Sequence, residues 1–154
     1  MKILLAISLA ISTVSLGELA AAQSYNKTFA ESERRLAALC ITVYQNTPKD
    51  GDAVVSTCLA SLKEMQALKN RTYGLTDTDT RLFYLYSAMA TAGLTMGELQ
   101  KNGGRVSTAA CTHGREAIAL GEKVGFQKGS DYEARVQLTI EGFKKHLMPN
   151  CVGR

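Results

Sequence analysis

The chain has 154 residues, of which 45% are hydrophobic and 6% aromatic, and its 18 basic and 14 acidic residues give a net charge of +4. This length suits a domain with a sizeable core, and the small charge, scattered along the chain, argues against a nucleic-acid partner. The lack of Trp and the presence of only two Pro favour helices over an all-β sandwich.

The first 22 residues have the pattern of a cleavable secretory signal. Lys2 precedes an apolar stretch over residues 3–17, and alanines at 20–22 supply the small residues that signal peptidase requires. Glu18 ends the run before it reaches the roughly 20 apolar residues of a membrane span. We therefore expect a periplasmic or secreted chain that starts near Gln23, has no stable membrane anchor and keeps the net charge of +4, because Lys2 and Glu18 are lost together.

Residues 23–154 are predicted to form a single helical domain, whose first helix runs over about residues 24–45. A dense turn signal at residues 46–51 ends this helix, and Asp52 is predicted to cap the second one. The apolar positions expected to be buried on these two helices are Phe29, Leu36, Cys40, Val43 and Tyr44 on the first, and Val55, Cys58, Leu59, Leu62 and Met65 on the second.

The third helix is predicted to begin with Asp77 or Asp79 as its cap, since acidic groups suit a helix N-terminus. It is apolar around most of its circumference, which is typical of a central helix. The sequence Asn-Gly-Gly at 102–104 is expected to end it.

Two more helices complete the prediction. The fourth starts near Val106 with Ser107 or Thr108 as its cap, and the fifth starts with Ser130 or Asp131 and ends at Pro149. The positions predicted to be buried are Ala110, His113, Ala117, Leu120 and Val124, then Tyr132, Val136, Thr139, Ile140, Phe143 and Leu147. The expected fold is all-α, a small bundle of about five helices arranged as stapled antiparallel hairpins.

Four cysteines in an exported domain predict two disulfides. Of the three possible pairings, antiparallel packing favours Cys40–Cys58, whose members are about equally far from the turn between the first two helices. Cys111 and Cys151 flank the last loop in a similar way. The loop-entropy estimate gives upper contributions of about 3 and about 4 kcal/mol.

A zinc site is disfavoured, although His113 and His146 stand near Cys111 and Cys151. Residues two apart on a helix point about 200° away from each other, so Cys111 and His113 do not converge on one ion. No metal or cofactor is therefore expected.

The sequence contains none of the motifs that mark serine hydrolases, zinc proteases, nucleotide-binding loops or haem attachment. We assign no catalytic residue and expect a non-enzymatic protein. An enzyme that uses His113 as a general base, with Glu116 or Tyr132 nearby, is the least favoured alternative.

Two places are candidates for a protein partner. Gly103 and Gly104 precede Arg105, whose five donors suit a carboxylate, and Lys101 adds a second cation; one glycine suffices to end a helix, so capping leaves the second one unexplained. Tyr84 is expected to expose its ring, because three aromatic residues within four positions do not all face inward.

We therefore expect an exported protein that binds another protein, such as an envelope adaptor or an immunity or inhibitor protein. The alternative is a carrier of a small apolar ligand in an interhelical pocket, lined by Phe83, Tyr86, Met89 and His113. A clear apolar cavity would favour the carrier, and a flat exposed aromatic patch would favour the protein partner.

Overall fold

The computed structural model describes residues 26–127 and 130–152, so the predicted signal at residues 1–22 lies outside the described residues. Within these ranges the chain is helical and has no strand, which confirms the all-α prediction. The elements are α1 (Lys27–Asn46), α2 (Gly51–Arg71), α3 (Asp77–Lys101), α4 (Thr108–Val124) and α5 (Asp131–Gly142), followed by a π-helical turn (Phe143–Leu147) and a 3-10 turn (Met148–Cys151). None of the helices in the described part has both the length and the apolarity needed to cross a bilayer.

The centre of the fold is α3, as its apolar circumference predicts. It packs against α1, α2, α4 and α5, and more than half of its 25 residues are buried. On one side α1 and α2 form the N-terminal half, and on the other α4, α5 and the two terminal turns form the C-terminal half. Each half has its own core cluster, and α3 contributes to both: Phe83, Ala90 and Leu94 to the first, Leu85, Ala88 and Ala92 to the second.

Glycines allow helices to approach closely in both halves. A Cβ at Gly93 of α3 would lie 2.5 Å from Cys40 Sγ, and one at Gly114 of α4 would lie 2.6 Å from Leu147 Cδ2. Because real Cβ atoms do not come so near to other heavy atoms, a larger residue at either position would push the neighbouring element away.

Both predicted disulfides are present. Cys40–Cys58 joins α1 to α2 with the Cα atoms 4.7 Å apart, and Cys111–Cys151 joins α4 to the 3-10 turn with the Cα atoms 5.6 Å apart. All four cysteines are buried. The covalent framework therefore has one bridge in each half.

The cap of α2 differs from the prediction. Asp50, not Asp52, is the N-cap, and its Oδ1 accepts a hydrogen bond from the Ala53 N–H at 2.9 Å. Asp52 instead pairs with Lys101 at the end of α3, at 2.7 Å. Both aspartates are able to cap a helix, and this contact with a distant element accounts for the difference.

The cap of α3 is Thr76, so neither Asp77 nor Asp79 is the N-cap. Thr76 Oγ1 accepts a hydrogen bond from the Asp79 N–H at 3.1 Å, and the Thr76 N–H donates to Asp79 Oδ2 at 2.9 Å, which makes a capping box. Ser107 and Ser130 cap α4 and α5, each being one of the two residues predicted.

The inner faces of α2 and α4 are rotated from the predicted ones. Val54 and Ser61 are buried on α2, whereas Leu59 is 48% exposed. On α4, the small residues Ala110, Gly114, Ala117 and Gly121 are buried, whereas His113 and Leu120 are half-buried. Since small residues let helices pack closely, the larger side chains next to them are displaced towards solvent.

The outer helices of each half bury one glutamate, and the two are treated differently. Glu133 on α5 forms an ion pair with Arg81 of α3 and accepts a hydrogen bond from the Gln127 N–H at 2.7 Å. Glu33 on α1 is completely buried, and neither carboxyl oxygen has a hydrogen-bond partner in the described chain. Burial raises the pKa of Glu33 to about 8; Lys69 opposes this shift and Asp79 adds to it.

Candidate functional site

A cleft of about 370 Å³ lies between α2 and α4, with α3 as its floor. Both helices pack on α3, but within the described residues their backbones do not contact each other. The lining comprises Leu59, Leu62, Lys63 and Gln66 from α2, Phe83, Ser87, Thr91 and Leu94 from α3, and His113, Glu116 and Leu120 from α4.

The floor and the rim of this cleft differ in exposure. The four residues from α3 follow one another at spacings of three or four, so they form a row on one face of that helix, and all four are buried. On the rim, Lys63, Gln66, Glu116 and Leu59 are exposed. The cleft is therefore open along one side and has a mixed polar and apolar lining.

The hydroxyl of Thr91 is an unsatisfied group in the cleft. Thr91 is 1% exposed, and its Oγ1 has no hydrogen-bond partner within the described chain. A buried hydroxyl without a partner costs roughly 1–3 kcal/mol, so a ligand group that bonds to it would recover this loss. Thr91 is thus suited to bind a polar atom that enters the cleft.

His113 lies on the wall of the cleft, beside one of the two residues expected near it. Its Nδ1 is 3.7 Å from Glu116 Oε2, whereas Tyr132 packs against Tyr86 with ring centroids 5.6 Å apart. Ser87 and Thr91 line the same cleft, but no hydrogen bond joins either hydroxyl to His113. In this geometry the imidazole can bind a ligand, and it has no aligned nucleophile.

The predicted pocket residues separate into two pairs. Phe83 and His113 both line the cleft. Tyr86 and Met89 do not line it: Met89 packs on the core cluster of the C-terminal half, and Tyr86 packs on that of the N-terminal half. Around α3, positions 86 and 89 lie roughly 60° and 120° from Phe83 on one side, whereas Ser87 and Thr91 lie roughly 40° and 80° from it on the other, which accounts for their different surroundings.

The residues of the predicted partner contact at 101–105 are partly engaged within the fold itself. Lys101 is held by Asp52, and this hydrogen bond raises the pKa of its ammonium. Gly103 and Gly104 have φ of 61° and 81°, so both positions require the left-handed backbone that favours glycine. The expectation that capping does not explain the second glycine was therefore wrong. Arg105 is exposed, and no ion pair forms at its guanidinium in the described part of the chain.

The expectation of an exposed Tyr84 ring was also wrong. The ring is half-buried and packs edge-on against Phe83, with the centroids 5.7 Å apart. The Nζ atoms of Lys69 and Lys123 each lie 5.3 Å from its centroid. Tyr84 also stands about 25 Å along α3 from Lys101, so the predicted partner-binding residues do not form one site.

Most of the cleft was not identified from the sequence. One available signal was the pair Ser87 and Thr91, which places two hydroxyls one turn apart on a helix predicted to be central. Polar side chains on the buried face of such a helix indicate either an internal hydrogen bond or a binding surface. In the structure Thr91 has no internal bond, so the second interpretation is favoured.

The two histidines and the neighbouring cysteines do not form a metal site. Cys111 and Cys151 are consumed by their disulfide. No cluster of three His, Cys, Asp or Glu side chains with the spacing of metal ligands occurs in residues 26–127 and 130–152.

Comparison of the chain with models of protein families, with curated proteins and with solved structures found no match. The functional argument therefore depends on the cleft and on the covalent framework.

Proposed function

We propose that the chain is an exported, non-enzymatic protein that binds another protein by taking a protruding side chain or loop of that partner into the cleft between α2 and α4. The observation that carries this proposal is the form of the cleft, which is open along one side. Its floor holds the unsatisfied Thr91 hydroxyl, and its rim presents the exposed Leu59.

The open rim favours a protein partner over an enclosed small molecule. Small-molecule pockets bury 70–90% or more of a drug-sized ligand and are mostly apolar. Here Lys63, Gln66 and Glu116 leave one side in water, and the floor contains two hydroxyl residues. Protein interfaces commonly place an anchor side chain in a pocket that has a polar rim around it.

The cysteines and the predicted signal support the proposed compartment. Two buried disulfides fit an oxidising environment. Together with the signal pattern at residues 1–22, they support export to the periplasm or the exterior. An envelope adaptor, or an immunity or inhibitor protein, would combine such a location with a rigid helical scaffold and a recessed binding surface.

A second candidate function is the binding of a small, partly apolar ligand in the same cleft. The volume of about 370 Å³ lies within the range of roughly 300–1,000 Å³ found for ligand pockets. Thr91 Oγ1 and the half-buried His113 would supply its polar contacts. Native mass spectrometry of the exported protein would show such a ligand as an added mass, which Thr91→Val should reduce.

The test of the first proposal compares two exposed leucines. Leu59 stands on the rim of the cleft, and Leu138 on α5 is 72% exposed and is not among the lining residues. Partners are captured with the exported protein, and their affinity is measured by calorimetry. Leu59→Ser should weaken binding by about 1–2 kcal/mol, whereas Leu138→Ser should leave it unchanged. Equal effects of the two substitutions would contradict a partner site in the cleft.

A further inference from the structure

We infer that the segment inserted by the partner is acidic, and that its carboxylate binds at the end of the cleft where Lys69 and Lys123 flank Tyr84. This inference rests on the proposed function, because it identifies the chemistry of the partner at the same site.

The two helices that form the walls of the cleft each supply one ammonium group just beyond the lining residues. Lys69 comes from α2 and Lys123 from α4, and both Nζ atoms lie 5.3 Å from the ring centroid of Tyr84. Lys69 Nζ is also 4.2 Å from the ring centroid of Phe83, which lines the cleft. Lys123 follows the lining residue Leu120 by one helical turn. The two cations therefore surround the aromatic end of the cleft.

The lysines at the cleft have no carboxylate partner in the described chain. Lys27, Lys101 and Lys144 form ion pairs with acidic side chains, whereas five described lysines do not: Lys49, Lys63, Lys69, Lys123 and Lys145. Of these five, Lys63 lines the cleft, and Lys69 and Lys123 lie just beyond the end that Phe83 lines. The carboxylate that lines it, Glu116, lies beside His113. The surface is thus complementary to a negative group.

Neither Glu33 nor Asp79, the buried acidic groups of this region, forms an ion pair with Lys69 in the described chain. Burial raises the pKa of Glu33 to about 8, so Glu33 is mainly uncharged at pH 7. Asp79 is fully buried, its carboxylate accepts hydrogen bonds from the Asn26 N–H at 2.7 Å and from Thr76 Oγ1 at 2.8 Å, and no ion pair joins it to Lys69 in the described chain. The positive charge at this end of the cleft therefore remains available to a partner.

The other residues that line the cleft indicate which partner residues would bind next to the acidic one. An ammonium group over an aromatic face keeps its charge and is partly shielded from water, which strengthens its attraction to a carboxylate. Leu62 and Leu120 line the neighbouring walls, so an apolar side chain next to the acidic one would pack there. Thr91 Oγ1 can bond to a polar backbone atom of the same segment. These contacts fit a chain segment in which Asp or Glu adjoins a Leu-like residue.

The experiment uses a displayed library of random seven-residue peptides, selected against the exported protein. The selected sequences should be enriched in Asp or Glu next to Leu, Ile or Phe. Calorimetry with the best peptide should show that Lys69→Gln with Lys123→Gln weakens binding about tenfold or more. The matched control, Lys49→Gln with Lys145→Gln, removes the same charge from exposed lysines away from the cleft and should change affinity less than about twofold.

The outcomes separate this inference from the proposed function. If the peptides lack acidic residues, or if the double variant at Lys69 and Lys123 binds as well as its control, the acidic-segment inference is overturned. Weaker binding by Leu59→Ser in the same assay would then still support the cleft as a protein-binding site. A selection that yields no binding peptide, or peptides indifferent to Leu59→Ser, counts against the cleft and overturns both.

Discussion

The two halves of the bundle use a disulfide in different ways. In the N-terminal half, Cys40–Cys58 joins the bodies of two consecutive helices across 18 residues of sequence, and it packs directly against Gly93 of α3. In the C-terminal half, Cys111–Cys151 spans 40 residues and ties the last turn of the described chain to the first turn of α4. The first bridge is part of a tight helix contact, and the second fixes the 3-10 turn that follows α5 against α4.

The two halves also differ in how they surround a buried glutamate, Glu133 in the C-terminal half and Glu33 in the N-terminal half. Glu133 is compensated by Arg81 and by a backbone N–H. Glu33 has no hydrogen-bond partner in the described chain and stays neutral in the folded protein around pH 7. The C-terminal half thus tolerates a buried charge because it supplies partners, and the N-terminal half tolerates a buried carboxyl only while it is protonated.

The largest effect is expected from removing each disulfide in turn. The loop-entropy relation gives about 4 kcal/mol for the longer loop closed by Cys111–Cys151 and about 3 kcal/mol for that closed by Cys40–Cys58. Urea unfolding of Cys111→Ala/Cys151→Ala and of Cys40→Ala/Cys58→Ala measures both losses. A larger loss of stability in Cys40→Ala/Cys58→Ala than in Cys111→Ala/Cys151→Ala would show that the packing of the first bridge against Gly93 outweighs the difference in loop length.

A smaller effect is expected from Glu33→Gln, and it depends on pH. Because the pKa of Glu33 is raised from 4.5 to about 8 on folding, the wild-type protein loses stability as pH rises from about 4.5 to about 8. The glutamine does not ionise, so at pH 7 the variant should be more stable by about 3 kcal/mol, and at pH 4 nearly equal. Denaturant unfolding across this pH range is the measurement.

The control for this variant is Glu31→Gln, two residues away on α1. Glu31 is exposed and pairs weakly with Lys27 at 3.8 Å. Its substitution should change the free energy of unfolding by less than about 0.5 kcal/mol at either pH. If both variants gave the same pH profile, Glu33 would not be the buried acid responsible.

The smallest effect compares two glycines. Gly93→Ala places a methyl carbon 2.5 Å from Cys40 Sγ, so α3 and the first hairpin must separate, at a cost of about 2 kcal/mol. Gly142→Ala on α5 meets no atom within 4 Å at a helical φ of −58° and should stabilise the chain by about 0.5 kcal/mol. Thermal unfolding should show a lower melting temperature for Gly93→Ala and a higher one for Gly142→Ala. An unchanged melting temperature for Gly93→Ala would mean that the region around the Cys40–Cys58 disulfide is loosely packed.

The number of helices and both disulfide pairings were predictable from the sequence because they depend on local signals. Apolar periodicity, the turn at residues 46–51 and the glycines at 103 and 104 each act within a few residues. Cys40 and Cys58 then lie opposite each other, because the two helices of the hairpin are antiparallel and the two cysteines are about equally far from the turn.

The sequence-based predictions were wrong where contacts with distant elements determine which residue caps a helix or which side chain is buried. Asp52 was expected to cap α2, but it pairs with Lys101 at the far end of α3, and Asp50 caps instead. Leu59 lies next to Cys58 on a helix with apolar periodicity, yet the closest contacts use smaller residues and turn it outward. The cleft exists because α2 and α4 pack on the same helix without contacting each other, and no local pattern encodes that spacing.

The disulfide connectivity joins the first cysteine to the second and the third to the fourth. A chain that crosses a membrane from its N-terminus presents its cysteines one after another to the oxidising side. Under that order, each native bridge forms between the two cysteines that arrive consecutively, and Cys58 has found its partner before Cys111 appears. For the exported chain proposed above, we therefore expect native pairing by sequential oxidation, without exchange of wrongly paired cysteines by a disulfide isomerase.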